Sequence, residues 1–195
     1  MIVKFLEKIF LRNPKRNIPK GNNIICPANG KIVRILDTSK NIRLRKGLLG
    51  HVTLLTKDIA KKCVVICIMM NIHNIHVQRS PISGKIIDQK YSKGKFMNVV
   101  NGAEKLEWLE NEQNSMTIFN KKNSLKIKVV QVAGAFAKKI KSYVKTNQDI
   151  KKGEDIGHIT FGSQVTVIIP KDKIRLNVKL NQIVKDGETI LGEIK

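Results

Sequence analysis

Eight short β-prone runs, at residues 31–36, 51–56, 63–69, 84–89, 116–119, 125–132, 164–169 and 189–194, alternate along this chain with turns of Gly, Asn and Lys. That spacing predicts a mainly β fold, because short runs rich in Val, Ile and Thr between turn residues read as strands. Residues 63–70, CVVICIMM, are apolar throughout. Such a run falls well short of a bilayer's thickness, and its β-branched content predicts a buried strand. Helical pattern is scarce: residues 103–114 read as a helix or an ordered loop, and 135–143 as a short helix. A length of 195 residues suffices for one domain with a real core.

Two internal echoes sharpen the fold expectation. Pro27-Ala28-Asn29-Gly30-Lys31-Ile32 returns as Pro81-Ile82-Ser83-Gly84-Lys85-Ile86, each a proline-led turn, a glycine and then a strand. QDIKKGEDIGHI, at 148–159, returns as NQIVKDGETILGEI, at 181–194. Strand, Lys-X-Gly turn, strand and glycine, twice over, resembles the compact sandwich of biotinyl and lipoyl domains. The expected fold is therefore β-rich α+β: a compact barrel-sandwich-hybrid-like core with short helices and an N-terminal amphipathic helix. The Glu-X-Met-Lys motif of those carriers is absent, so the echo speaks to fold and not to carrier function.

That helix is expected over residues 1–12, MIVKFLEKIFLR, where Ile2, Val3, Phe5, Leu6, Ile9 and Phe10 share one face and Lys4, Glu7, Lys8 and Arg12 the other. The interrupting charges rule out a signal-peptide core or a membrane span. A membrane interface and the protein's own core both suit such a face. Residues 12–27 are turn-rich and read as a tether, and 13–195 as a single domain.

The formal net charge of +22 attracts polyanions, either nucleic acid or acidic lipid, unless the lysines merely solvate the surface. Aromatic residues are 5% and no nucleic-acid-binding motif occurs, so a lipid surface fits better and no nucleic acid is expected. Cys26, Cys63 and Cys67 read as buried, reduced thiols; their spacing matches no zinc motif, and no metal is expected.

Six fragments in order carry a resemblance through nearly the whole chain. Phe10 to Arg16 resembles FFRDPxR, Cys26 to Lys31 resembles SPADGK, and Met70 to Gly84, MNIHNIHVQRSPISG, resembles MSPLNVHVNRSPVSG. Asn111 to Asn114 resembles NERN, Gln131 to Gly134 resembles QIAG with Lys138 and Lys139 following, and Gly153 to Ser163 resembles GERFGMIRFGS. The chain resembles the short, single-domain phosphatidylserine decarboxylases and their archaetidylserine relatives.

The resemblance implies that the Ser163 hydroxyl attacks the Gly162 carbonyl and converts the peptide bond to an ester. Elimination then leaves dehydroalanine, and hydrolysis releases ammonia. A β chain of 1–162 and an α chain of 163–195 result, the latter headed by a pyruvoyl group derived from Ser163. That ketone would take up the amine of a serine phospholipid, accept electrons as carbon dioxide leaves, and yield the ethanolamine lipid. His76 matches the family's histidine and suits the role of base. His73 reads as incidental. Arg79, Lys138 and Lys139 are expected at the substrate carboxylate or phosphate. The resemblance also implies a peripheral protein on the cytoplasmic face of an anionic membrane, and a homodimer.

One departure matters. Asn29 stands where the family has the aspartate that orients the histidine of an Asp-His-Ser triad. An amide oxygen fixes a tautomer but brings no charge to stabilise imidazolium. Slow self-cleavage is therefore expected. The competing reading is a non-processing homologue that binds anionic lipid.

Overall fold

The computed structural model describes residues 11–39, 52–53, 55–95, 107–134, 140–159 and 163–195. Residues 1–10, the bulk of the expected amphipathic helix, lie outside the described residues. Among those described, fourteen strands form: β1 (Asn23–Ile25), β2 (Gly30–Asp37), β3 (Cys63–Met70), β4 (Val77–Arg79), β5 (Gly84–Ser92), β6 (Gln113–Asn120), β7 (Leu125–Val132), β8 (Ile140–Ser142), β9 (Asp149–Ile150), β10 (Asp155–Ile159), β11 (Ser163–Pro170), β12 (Ile174–Leu176), β13 (Ile183–Val184) and β14 (Ile190–Ile194). They build one eight-stranded antiparallel sheet, ordered β13-β2-β3-β11-β7-β6-β5-β9, and two three-stranded sheets, β1-β14-β12 and β4-β10-β8.

These sheets overturn the expected barrel-like core with short helices. All three are open, and no helix of seven or more residues occurs among the described residues. The two-residue strands β13 and β9 end opposite edges of the large sheet, so its edges never meet. Of the expected helices, the described part of 135–143 contains β8, and that of 103–114 gives a 3-10 turn (Glu107–Glu110) followed by the start of β6. Residues 51–56 err the other way, since the described residues 52, 53, 55 and 56 are helical, and the Lys57 N–H donates to the Thr53 carbonyl at 2.9 Å. Val52, Leu55 and Ile59 pack together at helical spacing, a period that β-branched composition concealed.

The sequence echoes mark two halves that repeat one design. β1, β2 and β3 match β4, β5 and β6, while β11 to β14 match β7 to β10. The correspondence extends to irregularities: β2 and β3 shift register between Ile32 and Arg34, and β5 and β6 shift at the matching place, between Ile86 and Asp88. β13 pairs with β2 at Lys31 and Gly30, as β9 pairs with β5 at Lys85 and Gly84. Gly30 and Gly84 are both required by close approach, because a Cβ there would lie 2.1 Å from the Met69 carbonyl oxygen and 2.4 Å from that of Phe119. The halves join where β11 pairs with β7, and the Val167–Val129 pair falls on the twofold relation between them.

One half is continuous, from β4 to β10. The other is split, with β1 to β3 before it and β11 to β14 after it. In the continuous half a tight turn of residues 121–124 links β6 to β7. The matching link, from Met70 of β3 to Ser163 of β11, is replaced by the entire other half, entered through residues 71–76 and left through 160–162.

Two cores result. Val64, Ile66, Ile68 and Met70 of β3, with Val165, Val167 and Ile169 of β11, pack beneath Ile24, Leu191, Ile156 and Ile159 of the small sheets. The alternate residues Val65, Cys67 and Ile168 meet Val52, Ile59 and Leu109 on the opposite face. Burial on both faces explains why 63–70 is apolar without alternation.

Candidate active site

Both crossings between the halves carry residues singled out from the sequence. His76 ends the first crossing and is fully buried. Ser163 opens β11, also fully buried, opposite Met70 where the chain leaves β3. The Ile159 N–H donates to the His76 carbonyl at 3.2 Å, tying the first crossing to the strand that enters the second. The Ser163 hydroxyl makes no hydrogen bond among the described residues. A buried hydroxyl left that way costs free energy, and such groups concentrate where chemistry needs them.

His76 Nδ1 lies 2.9 Å from the Asn74 carbonyl. A carbonyl only accepts, so in the neutral ring Nδ1 carries the hydrogen and Nε2 holds the basic lone pair. Burial pushes the His76 pKa down to about 4; the Asn74 bond opposes that shift, and the nearby charges of Arg12 and His158 reinforce it. The imidazole is thus neutral near pH 7. His158, on β10, is itself lowered by burial and meets the Tyr143 hydroxyl at 2.7 Å through Nδ1.

The Asn29 side-chain oxygen accepts the Asp186 backbone N–H at 2.8 Å. Its counterpart in the other half, the Ser83 hydroxyl, accepts the Lys152 N–H at 2.9 Å, so this bond belongs to the repeated turn. Arg79 is consumed by structure. Its Nε donates to Asp186 at 2.9 Å, Nη1 to the Gly153 carbonyl at 3.1 Å, and Nη2 to Asn13 and to the Pro14 carbonyl at 3.1 Å, while Nη1 also lies 2.9 Å from Asp155 as an ion pair. All three guanidinium nitrogens are engaged. Asp186 is fully buried and also holds Arg16, at 2.6 Å. Within the residues read as a tether, Arg16 is thus held by Asp186, and Ile18 fills the space over Gly153 and Gly187.

Gly162, Lys138 and Lys139 lie outside the described residues. His73 is exposed, and its carbonyl accepts from Arg12 at 2.5 Å. Cys26, Cys63 and Cys67 are free and buried, with pKa values pushed by burial to about 12, 11 and 12, so none is a ready thiolate. Among the described residues no three His, Cys, Asp or Glu side chains gather as a metal site requires. Sequence reading missed Asp186 and the buried amides Gln78, Asn114 and Gln131. For Asp186 a signal was present: it stands in one echo where the other has Lys152.

A buried serine hydroxyl at the start of β11, and a neutral histidine of fixed tautomer at the end of the other crossing, are residue types that hydroxyl attack and proton transfer require, here on a repeated β scaffold. The sequence model of the phosphatidylserine decarboxylase family matches residues 8–192. A phosphatidylserine decarboxylase proenzyme of Geotalea uraniireducens is 31% identical over 193 residues, 98% of this chain and 81% of that protein. Those of Syntrophus aciditrophicus and Desulfotalea psychrophila are 33% and 34% identical over 186 residues each, covering 94% and 95% of this chain and 77% and 78% of theirs. The chain belongs to the phosphatidylserine decarboxylase family.

Proposed function

We propose that this chain is a proenzyme that cuts itself between Gly162 and Ser163 and then decarboxylates a serine phospholipid to its ethanolamine counterpart. The observation that carries this reading is the buried Ser163 hydroxyl without a hydrogen bond among the described residues, placed where two crossings meet. His76 Nε2 takes the Ser163 hydroxyl proton as the oxygen attacks the Gly162 carbonyl, then returns it to the peptide nitrogen, which leaves as the residue-163 amine to give an ester. Loss of the residue-163 α-proton expels the Gly162 carboxylate and leaves dehydroalanine, which water converts to a ketone with release of ammonia.

The pyruvoyl group so formed supplies the electron sink for decarboxylation. Position 163 suits it: the first residue of β11 is buried and held by pairing to β3 on one side and, from Gln164 onward, to β7 on the other. Lys138 and Lys139 are assigned to the anionic headgroup. Arg79, with all three guanidinium nitrogens engaged, is assigned to the frame of the site instead. Among the described residues no helix is long and apolar enough to cross a membrane, and a peripheral seat on the cytoplasmic face of an anionic membrane accords with the charge of +22.

The Asn29 bond to Asp186 keeps a second reading in view, that of a non-processing homologue that binds anionic lipid. Intact mass and a denaturing gel decide between them. Fragments 1–162 and 163–195, the smaller one reactive to hydrazine and blocked to N-terminal sequencing, support the decarboxylase. A whole chain, inert to hydrazine and floating with anionic vesicles, selects the homologue.

A further inference from the structure

A chain of buried amides ends on His76. Gln89 Nε2 donates to Asn114 Oδ1 at 3.3 Å, Asn114 Nδ2 to Gln131 Oε1 at 2.8 Å, Gln131 Nε2 to Gln78 Oε1 at 2.7 Å, and Gln78 Nε2 to the His76 carbonyl at 2.6 Å. Gln78 and Gln131 are fully buried and Asn114 is 2% exposed. The terminal acceptor sets the direction of the whole chain. A carbonyl cannot donate, so Gln78 must turn its NH2 to His76 and its oxygen to Gln131, and each amide outward is oriented in turn. The outer end is anchored by Gln89, which also donates to the Ser142 hydroxyl at 2.8 Å. Gly157 lets the relay pass, because a Cβ there would lie 2.9 Å from Gln131 Nε2.

The fold itself does not require these amides, because the molecule carries its own control. In the matching half the same four positions are Ile35, Val64, Ile169 and Ile24, an apolar set packed in the main core. Only the half whose first strand follows His76 has amides there. Their terminal bond falls on the carbonyl that also accepts the Ile159 N–H, directly before the second crossing. Gln78 Nε2 further meets Met70 Sδ at 3.7 Å, and Met70 pairs with Ser163.

We infer that Gln78, Asn114 and Gln131 are positioning residues that fix the His76 main chain, and through it the imidazole, against the strand end that carries the reacting serine. The inference rests on the proposed self-cleavage, and its test separates the two. Gln78→Ile, Asn114→Val and Gln131→Ile together copy the apolar half and leave no stranded amide, so the variant is expected to fold with a Tm equal to or above the parent's. Gln131→Met interrupts the relay alone, and Ile169→Val, at the matching place in the other half, controls for core loosening.

Cell-free translation followed by denaturing gels gives the cleavage rate. Both relay variants are expected to slow at least tenfold and the control to stay within twofold. In full-length Ser163→Ala chains, which cannot use this hydroxyl, NMR reads the His76 Nδ1 proton. A slowly exchanging signal is expected in the parent and the control, with broadening or loss in both relay variants. An unchanged Nδ1 signal in the relay variants, or cleavage at the parent's rate, overturns the inference. A parent chain that never cleaves overturns the proposed function, while the Nδ1 signal still decides the relay.

Discussion

Asn29 and Asp186 are joined by a 2.8 Å bond from the Asp186 backbone N–H to the Asn29 side-chain oxygen, across what would be the two chains of a cleaved molecule. Asp186 in turn clamps Arg16 and Arg79, both from the N-terminal portion. The residue that departs from the family pattern is thus part of the frame that would keep the pieces together.

At position 29, cleavage rates should run Asp above Asn above Ala. The Asn74 carbonyl already fixes the His76 tautomer, so what an aspartate at position 29 would bring is charge, and the order tests whether that charge acts on the imidazolium. Asn29→Ala also loses the Asp186 bond, at a cost of about 1 kcal/mol. Timed intact-mass measurements on cell-free product check the order, and equal rates for the parent and the Asn29→Asp chain would remove this residue from the catalytic argument.

For His76 the folded pKa of about 4 lies below the ordinary 6.5. The unfolded chain therefore binds the proton first as pH falls, so this group's contribution is complete above about pH 6.5 and is lost on the way down to about 4. It amounts to something on the order of 3 kcal/mol. Urea melts of Ser163→Ala chains at pH 7.5 and 4.5 should show a larger acid loss than the same chain carrying His76→Gln. Cleavage should not slow through His76 protonation between pH 8 and 6, and His76→Gln should slow it by at least a hundredfold.

Removing Asp186 takes the shared carboxylate from two buried guanidinium groups, leaving Arg79 with Asp155 and Arg16 with only Glu188, at 3.9 Å. Asp186→Ala should cost on the order of 3 kcal/mol, since breaking a buried ion pair leaves uncompensated charge. Cleaved parent protein should run as one species in gel filtration without denaturant, because β11 sits between β3 and β7 in the large sheet. Dissociation of the parent's fragments at micromolar concentration would contradict this.

Strand positions and the repeat were legible because turn glycines and alternating apolar residues impose local constraints. The echo from Pro27 to Ile32 reappears as matching turns, strands and bulges. Sheet closure was not legible: nothing local distinguishes an edge strand such as β9 from one that completes a barrel. The run 51–56 misled because the burial of Val52 and Ile59 is helical in period while its composition is β-like. At the site, residue types pointed to Ser163 and His76. The commitment of Arg79 to Asp186, Asp155 and Asn13 could not be read, because its partners lie far apart in sequence. The amides Gln78, Asn114 and Gln131 were each visible as polar residues among apolar neighbours, but their common direction exists only once the strands are side by side.

The nesting of one half inside the other has a genealogical reading. Closing the gap between Met70 and Ser163 with a hairpin as short as residues 121–124 would yield a miniature protein holding every strand of the split half. Two such molecules, zipped along the valine-centred seam, would restore the large sheet as a symmetric pair. On that descent the serine would sit at the splice scar of a duplicated gene, where the proposed cut would undo a graft rather than break a body plan.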